Sequence, residues 1–173
     1  MVNGLDRKFD ELKASIQPFS RVLVAFSGGV DSAFVLKTAR DLLGAERVVA
    51  LTALSDTVPE HDRQDAARLA KELGVEHLVI QTQHMEIEEF VRNEADRCYF
   101  CKTEVYSTCG RVAAERGIPV VVDGTNADDL GDIRPGLKAA QEIGVRSPLA
   151  EAGLSKSEIR ELSRRVGLDV WDR

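Results

Sequence analysis

Apolar residues along the chain occur either in short continuous runs or in segments with helical spacing. The apolar runs at residues 21–26 and 47–54 are typical of strands buried on both faces, and residues 76–80 and 119–123 are predicted as the third and fourth strands. Helical spacing is clearest near the N-terminus, where Leu5, Phe9, Leu12 and Ile16 form one stripe. Further helices are predicted at residues 30–43, 59–73 and 85–116, and after a capping box at residues 155–158.

The order of these elements predicts the fold class. Strands that alternate with helices favour an α/β fold, with one open, mainly parallel twisted sheet and helices on both faces. The length of 173 residues suits a single domain, residues 1–173. Ligands of such sheets lie beyond the carboxyl ends of the strands. Gly28 and Gly29 follow the first predicted strand, and Gly124 and Thr125 follow the fourth, so these two loops form the candidate site.

Composition excludes several functional classes. Lys and Arg number 23 against 29 Asp and Glu, and the resulting net charge of −6 argues against nucleic-acid binding by bulk electrostatics. No apolar run reaches the roughly 20 residues that span a bilayer, and the N-terminus has no signal-peptide pattern. We therefore expect a cytoplasmic protein, in which three cysteines are a poor disulfide framework.

The hexapeptide at residues 27–32, SGGVDS, lies between a predicted strand and a predicted helix. Its two glycines permit a tight turn, and the helix N-terminus that follows attracts anions. Ser27 and Ser32 add hydroxyl donors, whereas Asp31 suits an anion site only if it binds the Mg²⁺ that accompanies ATP. The alternative is a strand-to-helix turn that simply needs glycine. Neither GxxxxGK[ST] nor GxGxxG occurs in the chain.

Residues 26–32 resemble the signature of the N-type ATP pyrophosphatases, which include GMP, NAD and asparagine synthetases and tRNA thiolation enzymes. The resemblance implies an adenine nucleotide alpha hydrolase-like fold, the PP-loop ATPase fold. It also implies cleavage of ATP between the α and β phosphates with transfer of AMP to a substrate oxygen. The ATP-binding residues that it implies are Ala25, Ser27, Gly28, Gly29, Val30, Asp31, Ser32, Ser55, Gly124 and Thr125.

Further segments at residues 97–102 (RCYFCK), 122–129 (VDGTNADD), 134–136, 146–149 and 171–173 resemble the LarE family of ATP-dependent sulfur transferases. This resemblance implies that a carboxylate of a pyridinium mononucleotide is adenylated and converted to a thiocarboxylate, in the synthesis of the nickel-pincer nucleotide cofactor. Two alternatives remain open. One is amide formation of the NAD or GMP synthetase type, and the other is a non-catalytic module that binds ATP or AMP.

The same resemblance implies roles for residues outside the hexapeptide, each with an alternative. Lys102 would stabilise negative charge on the phosphates, or it is a solvated helix lysine. Asp128 and Asp129 would hold Mg²⁺ or orient a ribose, or they form a helix cap with an acidic first turn. Arg134 and Arg146 would clamp the phosphate of the mononucleotide, or they are surface arginines.

The cysteines and the C-terminus raise the question of the sulfur donor. Cys98 and Cys101 have the spacing of half a zinc site or a redox pair, and a catalytic role near the substrate is the alternative. Cys109 is expected in the core, and His61, His77 and His84 form no pattern. The family's donor cysteine follows the segment matched by residues 171–173. The sequence ends before that position, so we expect either a fragment or a short variant, and the use of Cys98 or Cys101 as donor instead is a hypothesis. Self-association is expected by analogy.

Overall fold

A computed structural model describes residues 3–54, 59–81, 94–131 and 143–170, with the side chains of residues 94–102 and 131 outside that description. The strands are β1 (Val22–Ala25), β2 (Val48–Leu54), β3 (Glu76–Gln81) and β4 (Val121–Val122). The helices are α1 (Gly4–Ile16), α2 (Val30–Leu43), α3 (Glu60–Leu73), α4 (Glu94–Glu115), α5 (Pro148–Glu151) and α6 (Lys156–Arg165). Short 3₁₀ helices lie at Ala45–Arg47 and Asp128–Gly131.

The four described strands form one parallel sheet in the order β3-β2-β1-β4, which confirms the predicted fold class. Strand order reverses at β1, since β2 lies on one side of it and β4 on the other. Doubly wound sheets open a crevice for ligands at such a reversal. The loops that follow β1 and β4 therefore face each other across this crevice.

The fourth strand is shorter than the predicted run of residues 119–123. Its ladder with β1 covers Val121 and Val122, and the Leu23 N–H donates to the carbonyl of Val120 just before them. On its far side, Val122 forms a parallel bridge with Arg146, whose carbonyl accepts from the Asp123 N–H at 2.9 Å. The segment before α5 thus continues the sheet for one residue.

Helices cover both faces of the sheet, but unequally. The larger core joins one face, through Val22 and Val24, to α1, α2, α3, α5 and α6. The other face carries α4, whose Cys109 and Val112 pack on Leu23 of β1. Cys109 has no exposed surface, which confirms its predicted place in the core.

Most helix ends follow the signals in the sequence. Pro59 precedes α3 and Gly74 ends it with φ 72°, while Ser155 and Glu158 form the predicted capping box of α6. The predicted helix at residues 85–116 is observed as α4 from Glu94, and residues 82–93 lie outside the description. Across the described ranges, no helix is both long and apolar enough to cross a membrane.

Candidate functional site

Residues 26–32, here called the β1 loop, make a compact turn between β1 and α2. The Ser27 N–H donates to Ser32 Oγ at 3.1 Å, and the two hydroxyl oxygens lie 3.0 Å apart. Gly28 has φ 89°, and a Cβ added there would lie 3.1 Å from Cβ of Ala66 on α3. The loop is therefore pressed against α3, and only glycine suits both its conformation and this contact.

The β1 loop opens directly onto the N-terminus of α2. Gly29 occupies the N-cap position, and no side chain in the described ranges caps the helix. The first-turn amides of this 14-residue helix are thus available to an anion. Val30 is fully buried, so only its backbone N–H can serve a ligand, and Ala25 packs against the second face of the sheet.

Asp31, in the first turn of α2, is the carboxylate nearest to these amides. Its Oδ2 pairs with Lys156 Nζ at 3.0 Å and accepts from Asn126 Nδ2 at 3.2 Å. Its Oδ1 is buried and has no hydrogen-bond partner in the described part of the chain. An orphaned carboxylate oxygen beside an anion site suits Mg²⁺, which binds through one or two carboxylates together with substrate phosphates.

Mg²⁺ would thus be held by Asp31 with the phosphates, rather than by a protein cage. Among the described residues, no group of three or more His, Cys, Asp or Glu side chains could hold a metal. Magnesium commonly keeps several waters, so a single carboxylate is compatible with its chemistry. The metal role of Asp31 remains a prediction that the donor set fits.

Lys156 is a site residue that the sequence did not single out. It is the first residue of α6, and its backbone N–H donates to Asp128 Oδ2 at 2.8 Å. Its ammonium reaches Asp31 across 125 positions of the chain. The capping box at Ser155 indicates where α6 begins, but no local pattern shows which side chain of α6 faces the β1 loop.

Residues 123–129, here called the β4 loop, form the opposite side of the crevice. A Cβ added at Gly124 would lie 2.7 Å from the backbone nitrogen of Ser32 and 3.0 Å from the carbonyl carbon of Asp31. The glycine is needed because the two loops touch each other there. The sequence had attributed this closeness to the adenylate, and binding of ATP by Gly124 stays a prediction.

Asp123 is a buried carboxylate, 3% exposed, at the start of the β4 loop. Its Oδ2 accepts from the Tyr106 hydroxyl at 2.6 Å and from Thr125 Oγ1 at 2.9 Å. Its Oδ1 accepts from the Thr125 N–H at 3.1 Å and from Ser147 Oγ at 2.8 Å. Burial and the Asp123 carboxylate together raise the pKa of Tyr106. Thr125, a predicted ATP ligand, here donates both its hydroxyl and its amide to Asp123.

Asp128 and Asp129 both accept hydrogen bonds from backbone amides, Asp128 from Lys156 of α6 and Asp129 from within the β4 loop. Asp129 Oδ2 accepts from the Asn126 N–H at 2.9 Å, and Asn126 Oδ1 accepts from the Asp129 N–H at 3.0 Å. This reciprocal pair caps the 3₁₀ helix that begins at Asp128, as the capping alternative predicts. The metal or ribose role of both carboxylates stays a prediction.

Arg146 lies beside β4, but its guanidinium forms a bidentate pair with Glu151 at 2.8 and 3.1 Å. It also lies 5.7 Å from the ring centroid of Phe19. The hydrogen bond and charge of Glu151 raise the pKa of Arg146. A substrate phosphate would have to compete with Glu151, so the phosphate-clamp role stays a prediction.

Several predicted site residues fall outside the description. Ser55 and Arg134 do so entirely, as does His84, and the side chains of Cys98, Cys101 and Lys102 do so within α4. Because α4 packs antiparallel to the strands, the backbone of residues 97–102 lies toward the carboxyl edge of the sheet. Their catalytic roles stay predictions.

Behind the β1 loop, His77 has a side-chain hydrogen-bond partner in Thr52. Thr52 Oγ1 donates to the Phe26 carbonyl at 2.7 Å and lies 2.7 Å from His77 Nε2. Since the hydroxyl proton is directed at Phe26, His77 Nε2 carries the proton in this contact. Burial lowers the pKa of His77 below its usual 6.5.

Comparisons with known proteins agree with this geometry. The family model described as NAD synthase matches residues 6–109. An uncharacterised protein of Synechocystis sp. is 43% identical over 98% of this chain and 63% of its own length. The pyridinium-3,5-bisthiocarboxylic acid mononucleotide synthase of Lactiplantibacillus plantarum is 38% identical over 94% of this chain and 59% of its own length.

A solved NH3-dependent NAD synthetase from Campylobacter jejuni, in complex with the nitrate ion, superposes with a TM-score of 0.75 at 22% identity. The match covers 96% of this chain and 73% of that one, and at this identity it shows the fold alone. The chain spans about three-fifths of the length of the curated relatives it matches.

Proposed function

The chain belongs to the NAD synthase family, and on that premise we propose that it uses ATP to adenylate a carboxylate that then receives sulfur. The observation that carries the proposal is the pairing of an uncapped helix N-terminus with the Asp31–Lys156 ion pair at the strand-order reversal. The 38% identical synthase, whose name describes a bisthiocarboxylic acid mononucleotide, supports the choice of substrate.

The β1 loop would hold the two phosphates that leave as pyrophosphate. The first-turn amides of α2 and the hydroxyls of Ser27 and Ser32 supply neutral donors in one small region. Asp31 would hold Mg²⁺ through its free Oδ1, and Mg²⁺ would neutralise charge on the phosphates. Lys156 lies 3.0 Å from Asp31 and supplies the positive charge that a pair of leaving phosphates needs.

Adenylation solves a specific chemical problem. A carboxylate is a poor electrophile, and attack of its oxygen on the α-phosphate displaces pyrophosphate and installs AMP as a leaving group. A thiolate then attacks the acyl carbon, and AMP departs with the electron pair of the broken C–O bond. Where that thiolate is a cysteine, loss of its α-proton and cleavage of the Cβ–Sγ bond release the thiocarboxylate and leave dehydroalanine. Lys102, on the α4 segment toward the carboxyl edge of the sheet, is proposed to stabilise the negative charge that builds during these steps.

The sulfur donor within this chain is proposed to be Cys98 or Cys101. Both lie on α4, whose direction brings residues 97–102 toward the carboxyl edge of the sheet. Cys109 is fully buried against the second face and is a poor donor because a substrate cannot reach it. Mass spectrometry after turnover would identify a donor by its lost sulfur, with Cys109→Ala as the matched control.

The deciding experiment measures pyrophosphate from the full-length protein with ATP, Mg²⁺ and individual carboxylates. We expect release that depends on a pyridine dicarboxylate mononucleotide. Lys156→Met should slow it about tenfold or more, the scale of a lost charge-assisted contact in a transition state. Lys71→Met, on the last turn of α3, is a matched control that leaves the site untouched.

Other products would contradict the proposal. ADP and phosphate would contradict cleavage between the α and β phosphates. Pyrophosphate that depends on ammonia and a deamido substrate would favour amide formation, which the match to the NAD synthase model keeps open. ATP binding without release for every carboxylate would indicate a nucleotide-binding module. Magnesium dependence, self-association and a cytoplasmic location are further proposals, each measurable on the same protein.

A further inference from the structure

The described side chains that hold helix α4 to the sheet lie in its later turns. Its later turns pack through Cys109, Val112 and Ala113 against β1 and β2. Toward its N-terminus, Tyr106 is the buried residue of α4 nearest to residues 97–102, among the side chains that the structure describes. Among the described side chains, Tyr106 is therefore the buried contact of α4 that lies next to the segment with the proposed catalytic residues.

A hydrogen bond to a buried carboxylate connects this part of α4 to the site. The Tyr106 hydroxyl donates to Asp123 Oδ2 at 2.6 Å, and Asp123 directly precedes Gly124. Gly124 lies against the backbone of Ser32, at the start of α2. The hydrogen bond thus links α4 to the β4 loop and, through one residue, to the β1 loop.

The position of Lys102 relative to this link follows from helix geometry. Lys102 precedes Tyr106 by four residues, so the two share a face of α4 and stand about one turn, roughly 5–6 Å, apart. A shift of α4 at Tyr106 would move Lys102 by a similar amount. Misplacement of about 1 Å at a reacting centre can cost about a hundredfold in rate.

The chemistry of Asp123 points to positioning rather than to stability. The four donors recorded around its carboxylate are neutral groups from Tyr106, Thr125 and Ser147. A buried carboxylate of this kind is costly without such donors, and an apolar contact would hold a helix equally well. What the polar network adds is a single geometry that joins three segments of the chain.

We propose that Tyr106 and Asp123 are positioning residues, whose hydrogen bond sets the distance between residues 97–102 of α4 and the ATP-binding β1 loop. The inference rests on the proposed function for its catalytic consequence. It predicts a lower rate of the chemical step at unchanged ATP affinity, because the phosphate-binding groups lie on α2 and not on α4.

The test compares Tyr106→Phe with Ser147→Ala in the full chain. Each variant removes one hydroxyl donor to Asp123, but only Tyr106 lies on α4. Thr108→Val is the control on the same helix, because Thr108 Oγ1 donates only to the carbonyl of Glu104 within α4. Hydrogen exchange of α4 amides, pyrophosphate kcat and the Kd for ATP are measured for each.

We expect Tyr106→Phe to speed exchange at residues 97–106 and to lower kcat about tenfold, the scale of one hydrogen bond to a charged group. Its Kd for ATP should stay within about twofold of wild type. Ser147→Ala should leave exchange in α4 near the wild-type rate. Asp123→Asn, which disturbs the same link from its other end, should repeat the Tyr106→Phe pattern.

Two hydrogen-exchange results would overturn the inference. The first is an equal rate of amide exchange in α4 for Tyr106→Phe and Thr108→Val. The second is a similar increase in that rate for Tyr106→Phe and Ser147→Ala, because it would indicate that the donors only solvate Asp123. If the wild-type protein is active, an unchanged kcat in Tyr106→Phe would also overturn the inference. If wild type releases no pyrophosphate, the proposed function fails, while the exchange data still decide the link.

Discussion

The β1 loop and the β4 loop face each other across one crevice, yet they treat their polar groups in opposite ways. Within the described ranges, the β1 loop leaves the amides of α2 without a side-chain cap and Asp31 Oδ1 without a donor. In the β4 loop, Asp123 accepts four hydrogen bonds and Asn126 and Asp129 cap each other. The β1 loop thus keeps polar groups available for a ligand, whereas the polar groups of the β4 loop form hydrogen bonds that fix its own conformation.

This difference separates two kinds of site residue. A loop with unsatisfied groups gains most when a ligand completes its hydrogen bonds, so substitutions there should change affinity. A loop with satisfied groups acts as a support, so substitutions there should change geometry and stability. Lys156 connects the two, since its ammonium pairs with Asp31 and its amide is held by Asp128.

The largest effect is expected from Gly124→Ala, which forces the two loops apart. The new Cβ would lie 2.7 Å from the backbone nitrogen of Ser32, and backbone cannot yield as a flexible side chain does. We expect a loss of about 1–3 kcal/mol in the free energy of unfolding, as for other overpacked sites, together with weaker ATP binding. Urea titration measures the free energy of unfolding, and calorimetry measures the affinity for ATP.

The matched control for this change is Gly4→Ala, because nothing lies within 4 Å of a Cβ added at Gly4. Gly4→Ala should leave the free energy of unfolding and the affinity for ATP nearly unchanged. Full ATP affinity in Gly124→Ala would show that the contact between the loops is dispensable.

Asp31→Asn removes the charge of the β1 loop while keeping the shape of the side chain. We expect the Kd for Mg²⁺-ATP to rise about tenfold or more, equivalent to about 1.4 kcal/mol, with a smaller change for free AMP. The reason is that AMP lacks the phosphates that would share Mg²⁺ with Asp31. Asp41→Asn, on the same helix and in an exposed pair with Lys37, is the control. Equal losses for both nucleotides would contradict a metal role.

Ser155→Ala tests the support of Lys156 rather than its charge. The Ser155 hydroxyl accepts from the Glu158 N–H at the start of α6, and loss of such a cap costs about 1 kcal/mol. For a domain of this length the melting temperature should fall by about 2–4 °C. Ser155→Asp retains an acceptor and should keep most of the stability. A drop of equal size in both variants would show that capping is not the cause.

The smallest effect concerns pH and the strand behind the β1 loop. Burial lowers the pKa of His77 in the folded state, so the unfolded chain takes up this proton first as pH falls. The contribution of neutral His77 to the free energy of unfolding is therefore fully present above pH 6.5 and declines as pH falls through that value. His77→Gln should flatten this decline in urea titrations between pH 7 and 5. His61→Gln, with an exposed side chain, should not, and an identical slope in both would exclude His77 as its source.

How far the sequence predicts this molecule depends on how local each feature is. The β1 loop is contained in six residues whose hydrogen bonds run within the turn, so its motif predicted both its position and its glycines. The strands were predicted from apolar runs, and the parallel sheet from their alternation with helices. The match to the bisthiocarboxylic acid mononucleotide synthase confirms the resemblance to LarE-type proteins.

Partners of the site that lie far apart in the chain escaped prediction. Asn126 and Lys156 reach Asp31 from 95 and 125 positions away, and neither spacing leaves a local pattern. Asp123 was placed at the end of a strand, but its bond to Tyr106 depends on how α4 packs on the sheet. Gly124 was predicted as an ATP-binding residue, and that role stays a prediction. Its contact with Ser32 escaped prediction, because the sequence does not show which backbone a Cβ at this position would meet.

The contact of Gly124 with Ser32 has a consequence for the life of the protein. The crevice exists only when distant parts of the chain are folded together, so a nucleotide bound there favours the native state over every partly unfolded one. ATP at about a hundred times its Kd would add about 2.7 kcal/mol to the free energy of unfolding. Substrate supply would then set how long the protein survives proteolysis, with abundant ATP protecting the whole chain and not the crevice alone.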